Sequence, residues 1–394
     1  MEIQTDVLVV GAGPAGSIAA KYAAQMGVEV LLIDKKSEIG TPKRCAEGIL
    51  TSTLDELDIQ PDERWITRSI TGIEIVSPND TSIVLDNNRV NLQDTGYVLE
   101  RKVFDKHMAM DAIRAGSKVM IKTKAMNLIR CDEGFIVEAR NFDKDIKIHA
   151  KIVIAADGPE SNIGRMAGLK TNTSLNDMAS CIQYEMVNVK SDNTNNVQIY
   201  IGTICPGGYI WIFPKGDDIA NVGLGVLKSH ADKTAKSYLD SFIQTNTKLK
   251  DAQIVEMNVG GDPLGGLVSQ RYDDNIMVIG DAAGFVDPLT GDGIRTAMLS
   301  GKYAGIVAAE SIKLKDYSKD VLREYYDLTE EKIGKSFNRF NKIKEFLLTL
   351  DDNSLNNIVE EMIKTDLDDV SVKTLLKIII KSSPKSILKL GKLL

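Results

Sequence analysis

The chain has 394 residues, of which 43% are hydrophobic and 26% charged, and its formal net charge is −7. That length holds two or three domains with a sizeable core, and the acidic balance argues against a nucleic-acid partner. No apolar run approaches the roughly 18 residues of a membrane-spanning helix, and the start, MEIQTDVLVV, enters a strand at once, leaving no room for a targeting peptide.

The first residues read as strand, turn, helix and strand. DVLVV is a short apolar run, SIAAKYAAQM has helical spacing with small residues, and VEVLLID is a second buried strand. Between the first strand and the helix lies GAGPAG, with Gly11, Gly13 and Gly16. Glycine there permits a tight turn, close backbone approach to a pyrophosphate, and close helix–strand packing. The helix N-terminus adds N–H groups and a positive dipole end. Asp34 closes the second strand, where a carboxylate accepts hydrogen bonds from an adenosine ribose. The context predicts a dinucleotide site rather than a merely structural turn, without separating NAD from FAD.

A loop rich in glycine, proline and charge follows, TPKRCAEG. Strands are expected at 70–76 and 82–85, a helix at 101–115, and strands at about 118–123, 134–140 and 152–156. From about 170 to 270 the pattern is strand-rich (CIQYEMVNV, VQIYIG, YIWIFP, ANVGLGV), which predicts an antiparallel sheet in a second domain. In YIWIFP, Tyr209, Trp211 and Phe213 alternate with Ile210 and Ile212. Residues two apart in a strand share a face, so this aromatic face meets either core or ligand.

NIMVIGDAAG returns to buried-strand character, closed by Asp281, and Gly291 and Gly293 open a helix from about 293 to 312. Such a helix start suits the N1–C2=O edge of a flavin and favours its anionic reduced form; another α/β turn is the plainer alternative. Asp292 works against that dipole argument, since a carboxylate beside a flavin disfavours an anionic ring. The tail beyond 320 is helical by pattern. Its last stretch carries Lys373, Lys377, Lys381, Lys385, Lys389 and Lys392, interrupted by Pro384. Two readings stand for it: a peripheral anchor on anionic lipid, or a packed helix with a solvated lysine face. Cys45, Cys131, Cys181 and Cys205 are scattered with no CxxC pair, and three histidines offer no ligand spacing. No metal is expected, and free thiols in a reducing cytoplasm are.

Together these segments resemble the FAD-dependent oxidoreductases of the p-hydroxybenzoate hydroxylase fold. AADGPES matches that superfamily's Asp-Gly motif at Asp157 and Gly158, and VIGDAAG its Gly-Asp motif at Gly280 and Asp281. Within it the chain is most similar to the geranylgeranyl reductase family, and there to the archaeal digeranylgeranylglycerophospholipid reductases. KRCAEG, YVLERKVFDKHMA, PGGYIWIFPKG and DPLTGDGI carry the likeness, the PxxYxWxFP pattern most specifically.

The resemblance implies an α/β protein: a discontinuous Rossmann-type FAD-binding domain (1–60, 97–168 and 272–312), an antiparallel-sheet substrate domain (61–96 and 169–271) and a C-terminal helical region (313–394). It implies FAD contacts at Gly11, Gly13, Ala15, Gly16, Asp34, Cys45, Ala46, Gly48, Arg101, Ala125, Asp281, Gly293 and Ile294. Cys45, Ala46 and Gly48 would lie near the isoalloxazine, Arg101 at the phosphate–ribose portion, and Ala125, after a strand, near the adenine. Tyr209, Trp211 and Phe213 would wall a substrate tunnel, because flat aromatic surfaces bury apolar prenyl chains.

The implied activity is saturation of geranylgeranyl double bonds in an isoprenoid phospholipid, giving phytanyl chains, with NAD(P)H or ferredoxin as electron donor. Reduced FAD would deliver hydride to one alkene carbon while a proton reaches the other. These alkenes are not conjugated to a carbonyl, so proton transfer is early or concerted and needs a positioned acid. Cys45 and Tyr209 are the candidate donors, and Lys43 and Arg44 are the neighbours able to depress a thiol pKa. A monooxygenase of the same fold, acting on an apolar substrate, is the rival reading. The implied location is the cytoplasm, with the lysine-rich tail open to peripheral membrane contact.

Overall fold

The computed structural model describes residues 1–90, 94–365 and 372–382. The chain forms two compact units, one of Met1–Lys43, Arg101–Ser174 and Pro263–Asn341, the other of Arg44–Glu100, Leu175–Asp262 and Lys342–Leu394.

The first unit is built on a parallel sheet. Glu2–Val10 sits at its centre, between Lys144–Ala155 and Val30–Ile33, in parallel register Val7↔Ile152 and Val7↔Val30. Ile276–Val278 extends one side and Lys118–Met120 the other. Central strands covered on both faces read as near-continuous apolar runs, and Val7, Leu8, Val9, Leu32, Ile33, Ile152, Val153 and Ile154 are all buried. Lys144–Ala155 is longer than the expected 152–156. Its first half alternates charged and apolar residues and pairs antiparallel with Gly134–Asn141, which pairs in turn with Thr123–Cys131. That hairpin leaves one face wet, so its sequence lacks the apolar run that marks the second half.

Two helices cross this sheet at close range. A Cβ on Gly301 would lie 2.2 Å from the Ala15 carbonyl oxygen, and one on Gly305 2.4 Å from that of Ala19. The helix Ile294–Leu314 therefore seats its backbone directly on the helix Pro14–Gln25, which only side chains this small allow. Helix Arg101–Arg114, as expected at 101–115, buries Phe104, Met108 and Ala112.

The second unit holds a seven-stranded sheet in the order Gln253–Pro263, Met178–Val187, Ile219–Leu227, Ile210–Pro214, Asn196–Tyr200, Gly72–Val76, Ser82–Asp86. Met178–Val187, Ile219–Leu227, Ile210–Pro214 and Asn196–Tyr200 pair antiparallel in turn, as expected, as do Gly72–Val76 and Ser82–Asp86, whereas Asn196–Tyr200 runs parallel to Gly72–Val76. A small sheet of Gly48–Leu50, Gly96–Leu99 and Ile66–Ile70 completes it. Helix Ala235–Thr245 packs on the large sheet through Leu239 and Phe242, among Tyr184, Ile210, Ile212, Val222 and Leu224.

The helices beyond 313 do not form a body of their own. Lys319–Thr329 belongs with the first unit, and Asp352–Lys364 and Val372–Ser382 with the second. There Ile358, Val359, Ile378 and Ile379 close a core over Ile83 and Leu85. In the lysine-rich stretch, Lys377 is exposed and Lys381 pairs with Glu361. The Lys373 side chain, Pro384, Lys385, Lys389 and Lys392 lie outside the described residues. Among the described residues no helix is long and apolar enough to cross a membrane.

Candidate active site

The three glycines of GAGPAG do three different things. Gly11 sits at φ +111, and a Cβ there would lie 2.2 Å from the Ala156 carbonyl oxygen. Gly16 is shut in by packing, its Cβ position 1.8 Å from the Gly11 carbonyl oxygen. Gly13, the N-cap of helix Pro14–Gln25, has nothing within 4 Å of that position. So the second glycine alone faces open space, directly at a helix start with no side-chain cap and no acid in its first turn. That is the chemistry of an anion cradle, and the residues fit a dinucleotide pyrophosphate.

Asp34 completes the turn. It is buried, and its carboxylate accepts the N–H of Ala12 at 2.8 Å through Oδ2 and that of Lys36 at 2.8 Å through Oδ1. It therefore braces the glycine loop, and each oxygen retains a lone pair for a hydroxyl. Ala15, the second residue of helix Pro14–Gln25, is buried under Gly301. Ala125 comes after the strand Lys118–Met120, as expected, and lies inside the next strand, Thr123–Cys131.

Arg101 opens its helix and holds Asp105 in a two-pronged pair, at 2.7 Å through Nε and 2.9 Å through Nη2. Its charge also reaches Asp281, whose carboxyl is pushed up to about 6 by burial against that stabilising pull. Asp281 stands in a single 3₁₀ turn, Gly280–Ala283, with the Gly280 N–H donating to Ser300 Oγ at 3.0 Å. Asp157 is raised by burial too. Its Oδ2 accepts the Ile163 N–H at 3.1 Å, while Oδ1 is buried with no partner. A buried acceptor of that kind awaits a donor.

Gly293 is the N-cap of helix Ile294–Leu314, and the Ile294 N–H donates to Asp292 Oδ1 at 3.2 Å. Burial, then the charge of Asp287, push Asp292 up to about 6. The helix start thus carries a carboxyl that resists ionisation, which softens the objection Asp292 raised. Between the ordinary value of 3.8 and about 6 the folded state holds this proton more tightly than the unfolded chain. The group's contribution to stability therefore falls as pH rises through that window, and the loss is complete above it. Asp292→Asn, which keeps the acceptor oxygen, should melt higher than the native chain near pH 7.5, with the difference shrinking towards pH 4. A native chain that melts as high as the variant at both pH values contradicts the burial argument.

In the second unit the strand Ile210–Pro214 separates its faces as alternation requires. Ile210 and Ile212 enter the main core. Trp211, 8% exposed, lies over Gly223 of the neighbouring strand, where a Cβ would come within 2.5 Å of its ring. Tyr209 falls just before the strand, its ring 5.9 Å from that of Trp211 in an edge-to-face arrangement. Phe213 packs on Ile70, Val98 and Val197, and its ring lies over Gly48. The aromatic face therefore meets a small local cluster at its Phe213 end and not the main core.

The Cys45 loop is tied to this strand. Trp211 Nε1 donates to Gln183 Oε1 at 2.8 Å, and Gln183 Nε2 donates to the Cys45 carbonyl at 3.0 Å. Asn221 Nδ2 reaches the Ala46 carbonyl at 3.2 Å. The Glu47 N–H donates to Cys45 Sγ at 3.1 Å. Arg44 is exposed and its side chain runs along Gly260; Lys43 is buried. Cys181 and Cys205 are different thiols. Burial raises both, Cys205 to about 12, so they act as small apolar residues. Sequence reasoning passed over Gln183, Glu47, Lys215 and Asn221, which do the tying. Two of them stand inside quoted motifs, CAEG and FPKG, where a charge beside a strand end was the available signal.

The comparisons agree with this geometry. The geranylgeranyl reductase catalytic domain family matches residues 177–261, and the pyridine nucleotide-disulphide oxidoreductase family matches 5–210. Digeranylgeranylglycerophospholipid reductase 2 of Methanosphaera stadtmanae is 59% identical, over 99% of this chain and 100% of that protein. Digeranylgeranylglycerophospholipid reductase 1 of Methanothermobacter thermautotrophicus is 51% identical, over 100% and 99%. The crystal structure of a geranylgeranyl bacteriochlorophyll reductase-like protein from Thermoplasma acidophilum superposes with a TM-score of 0.94 at 38% identity, covering 100% of both chains. A flavin-dependent brominase shares the fold alone, at 17% identity and a TM-score of 0.73. With relatives this similar over its whole length, the chain belongs to the digeranylgeranylglycerophospholipid reductases of the geranylgeranyl reductase family.

Proposed function

We propose that this chain saturates the geranylgeranyl double bonds of digeranylgeranylglycerophospholipids to phytanyl chains, with FAD as cofactor. The reading rests above all on one observation: the strand Ile210–Pro214 turns its aromatic face away from the main core, and the Cys45 loop is hydrogen-bonded to that strand through Gln183. When bound and reduced, FAD supplies the hydride.

The cofactor role falls to the parallel-sheet unit and the substrate role to the antiparallel one. Gly11, Gly13, Ala15 and Gly16 would take the pyrophosphate, Asp34 the adenosine ribose and Ala125 the adenine. Arg101 would take the phosphate–ribose portion, and Asp281, Gly293 and Ile294 the flavin end. Cys45, Ala46 and Gly48 are proposed as further contacts. Tyr209, Trp211 and Phe213 give the prenyl chain a flat apolar wall, and water kept from that wall cannot capture a cation-like carbon. The proton comes from Cys45 or Tyr209.

Electrons come from NAD(P)H or ferredoxin, and anaerobic bleaching of the flavin by one and not the other separates them. In the lysine-rich stretch Ile378 and Ile379 are committed to the core, so contact with an anionic lipid surface would run through charge. The activity is tested by mass spectrometry of the unsaturated diether phospholipid after anaerobic incubation with the reduced protein. We expect a gain of two hydrogens per double bond with no need for oxygen. Product that carries added oxygen, formed only in air, returns the monooxygenase.

A further inference from the structure

Beneath the Cys45 loop lies a buried cluster of charge. Lys215 Nζ, on a side chain 4% exposed, donates to Glu100 Oε2 at 2.8 Å, Glu47 Oε2 at 2.9 Å and Glu185 Oε2 at 3.1 Å. Glu47, whose side chain is fully buried, also accepts from Asn221 Nδ2 at 2.7 Å, and its carbonyl accepts the Leu99 N–H at 2.8 Å.

We propose that Lys215 is a positioning residue: by gripping Glu47 it fixes the loop that carries Cys45 to the strand that carries Trp211. The inference rests on the reductase reading for its meaning, and its geometry stands apart from it.

Three features separate this arrangement from ordinary packing. A buried ion pair is seldom the most stable filling for its space, since apolar groups of similar volume do as well or better. Here three carboxylates surround one ammonium, and Glu100 Oε1 and Asn221 Oδ1 are buried acceptors with no partner. What such a cluster supplies over an apolar one is direction, because charged hydrogen bonds hold their partners at set distances and angles.

That direction is applied to consecutive residues. Cys45 is held by its carbonyl through Gln183, Ala46 by its carbonyl through Asn221, and Glu47 by side chain and backbone together. Glu47 also stands at φ +76, a conformation a non-glycine residue keeps only when its surroundings enforce it. Finally, the side-chain anchors Lys215, Asn221 and Gln183 come from the end of the aromatic strand and the next two strands of its sheet, and Leu99 adds a backbone hydrogen bond from the small sheet. Lys215 follows Pro214 directly, Asn221 pairs with Phe213 across the ladder, and Glu185 pairs with Asn221. A chain that must present a proton donor to a flexible apolar substrate needs its donor loop and its substrate wall to keep one spacing.

The test uses full-length protein in a Cys131→Ser/Cys181→Ser background, which leaves Cys45 as the accessible thiol because Cys205 is buried. Lys215→Arg keeps the charge and changes the geometry. We expect its melting temperature and its KM for the lipid to hold. Alkylation of Cys45 by iodoacetamide in cofactor-free protein should change by about tenfold, and turnover should fall by at least that factor.

General loosening would lower the melting temperature and raise KM together, and that pattern overturns the proposal, as does a variant indistinguishable from its parent. If Lys215→Arg does not fold, Glu47→Gln, of equal size and less negative, is read by the same measurements. Alkylation needs no turnover. A shifted rate in a protein that forms no lipid product keeps the positioning role and removes the reductase reading; normal turnover in parent and variant alike does the reverse.

Discussion

Replacing Gly13 by leucine should abolish flavin retention while leaving the protein folded. At φ −76 the position accepts any L-residue, and no atom stands within 4 Å of its Cβ direction. The added side chain therefore fits the cofactor-free chain and fills the place where backbone approaches pyrophosphate. We expect binding of FAD to weaken by at least about 100-fold, ~2.8 kcal/mol, with the melting curve of the cofactor-free protein unchanged. The same change at Gly16 should do something else. Its Cβ position is 1.8 Å from a backbone oxygen, so the helix must move and the protein itself should lose stability. Equilibrium titration of flavin fluorescence beside calorimetry distinguishes the two. If Gly13→Leu binds FAD as the parent does, the open space at the helix start is not the cradle.

The second large effect is expected at Cys45. An isolated alkene offers no oxygen to take up negative charge, so hydride cannot move far ahead of the proton, and the acid must be in place. Removing a positioned general acid costs about 10²–10⁴ in rate. Cys45→Ala should lower turnover by a factor in that range with flavin binding and lipid KM little altered, because the loop is held by its backbone and by Glu47 rather than by the sulfur. Tyr209→Phe is the paired variant. Its ring contact with Trp211 survives loss of the hydroxyl, so a fall in turnover there and not at Cys45 would give the donor role to the phenol.

Local chemistry was legible in the sequence and distant convergence was not. GAGPAG, Asp34 and the strand before them could be read because the motif, its turn and its helix lie within one short stretch. Trp211 and Phe213 share a face as alternation implies, but whether that face was core or ligand wall depended on Ile70, Val98 and Val197, which no local pattern places. Glu47, Glu100, Glu185, Lys215 and Asn221 come together from five separate segments, and each alone reads as a solvated polar residue. The strand Lys144–Ala155 was half visible for a related reason. Its buried half is an apolar run, and its hairpin half alternates with lysines that look like loop. The boundary near residue 44 was hidden as well. TPKRCAEG reads as one loop with its neighbours in sequence, whereas the contacts of Cys45 to Gln183 and of Ala46 to Asn221 place its part from Arg44 onward with the antiparallel sheet.

The most direct test follows the flavin itself. Protein holding reduced FAD is mixed anaerobically with the unsaturated diether phospholipid, and flavin reoxidation is recorded beside the loss of double bonds. The account predicts that the yellow colour returns without oxygen and in equal amount to the bonds saturated. Flavin that stays colourless until oxygen is admitted, with the lipid unaltered, would contradict it.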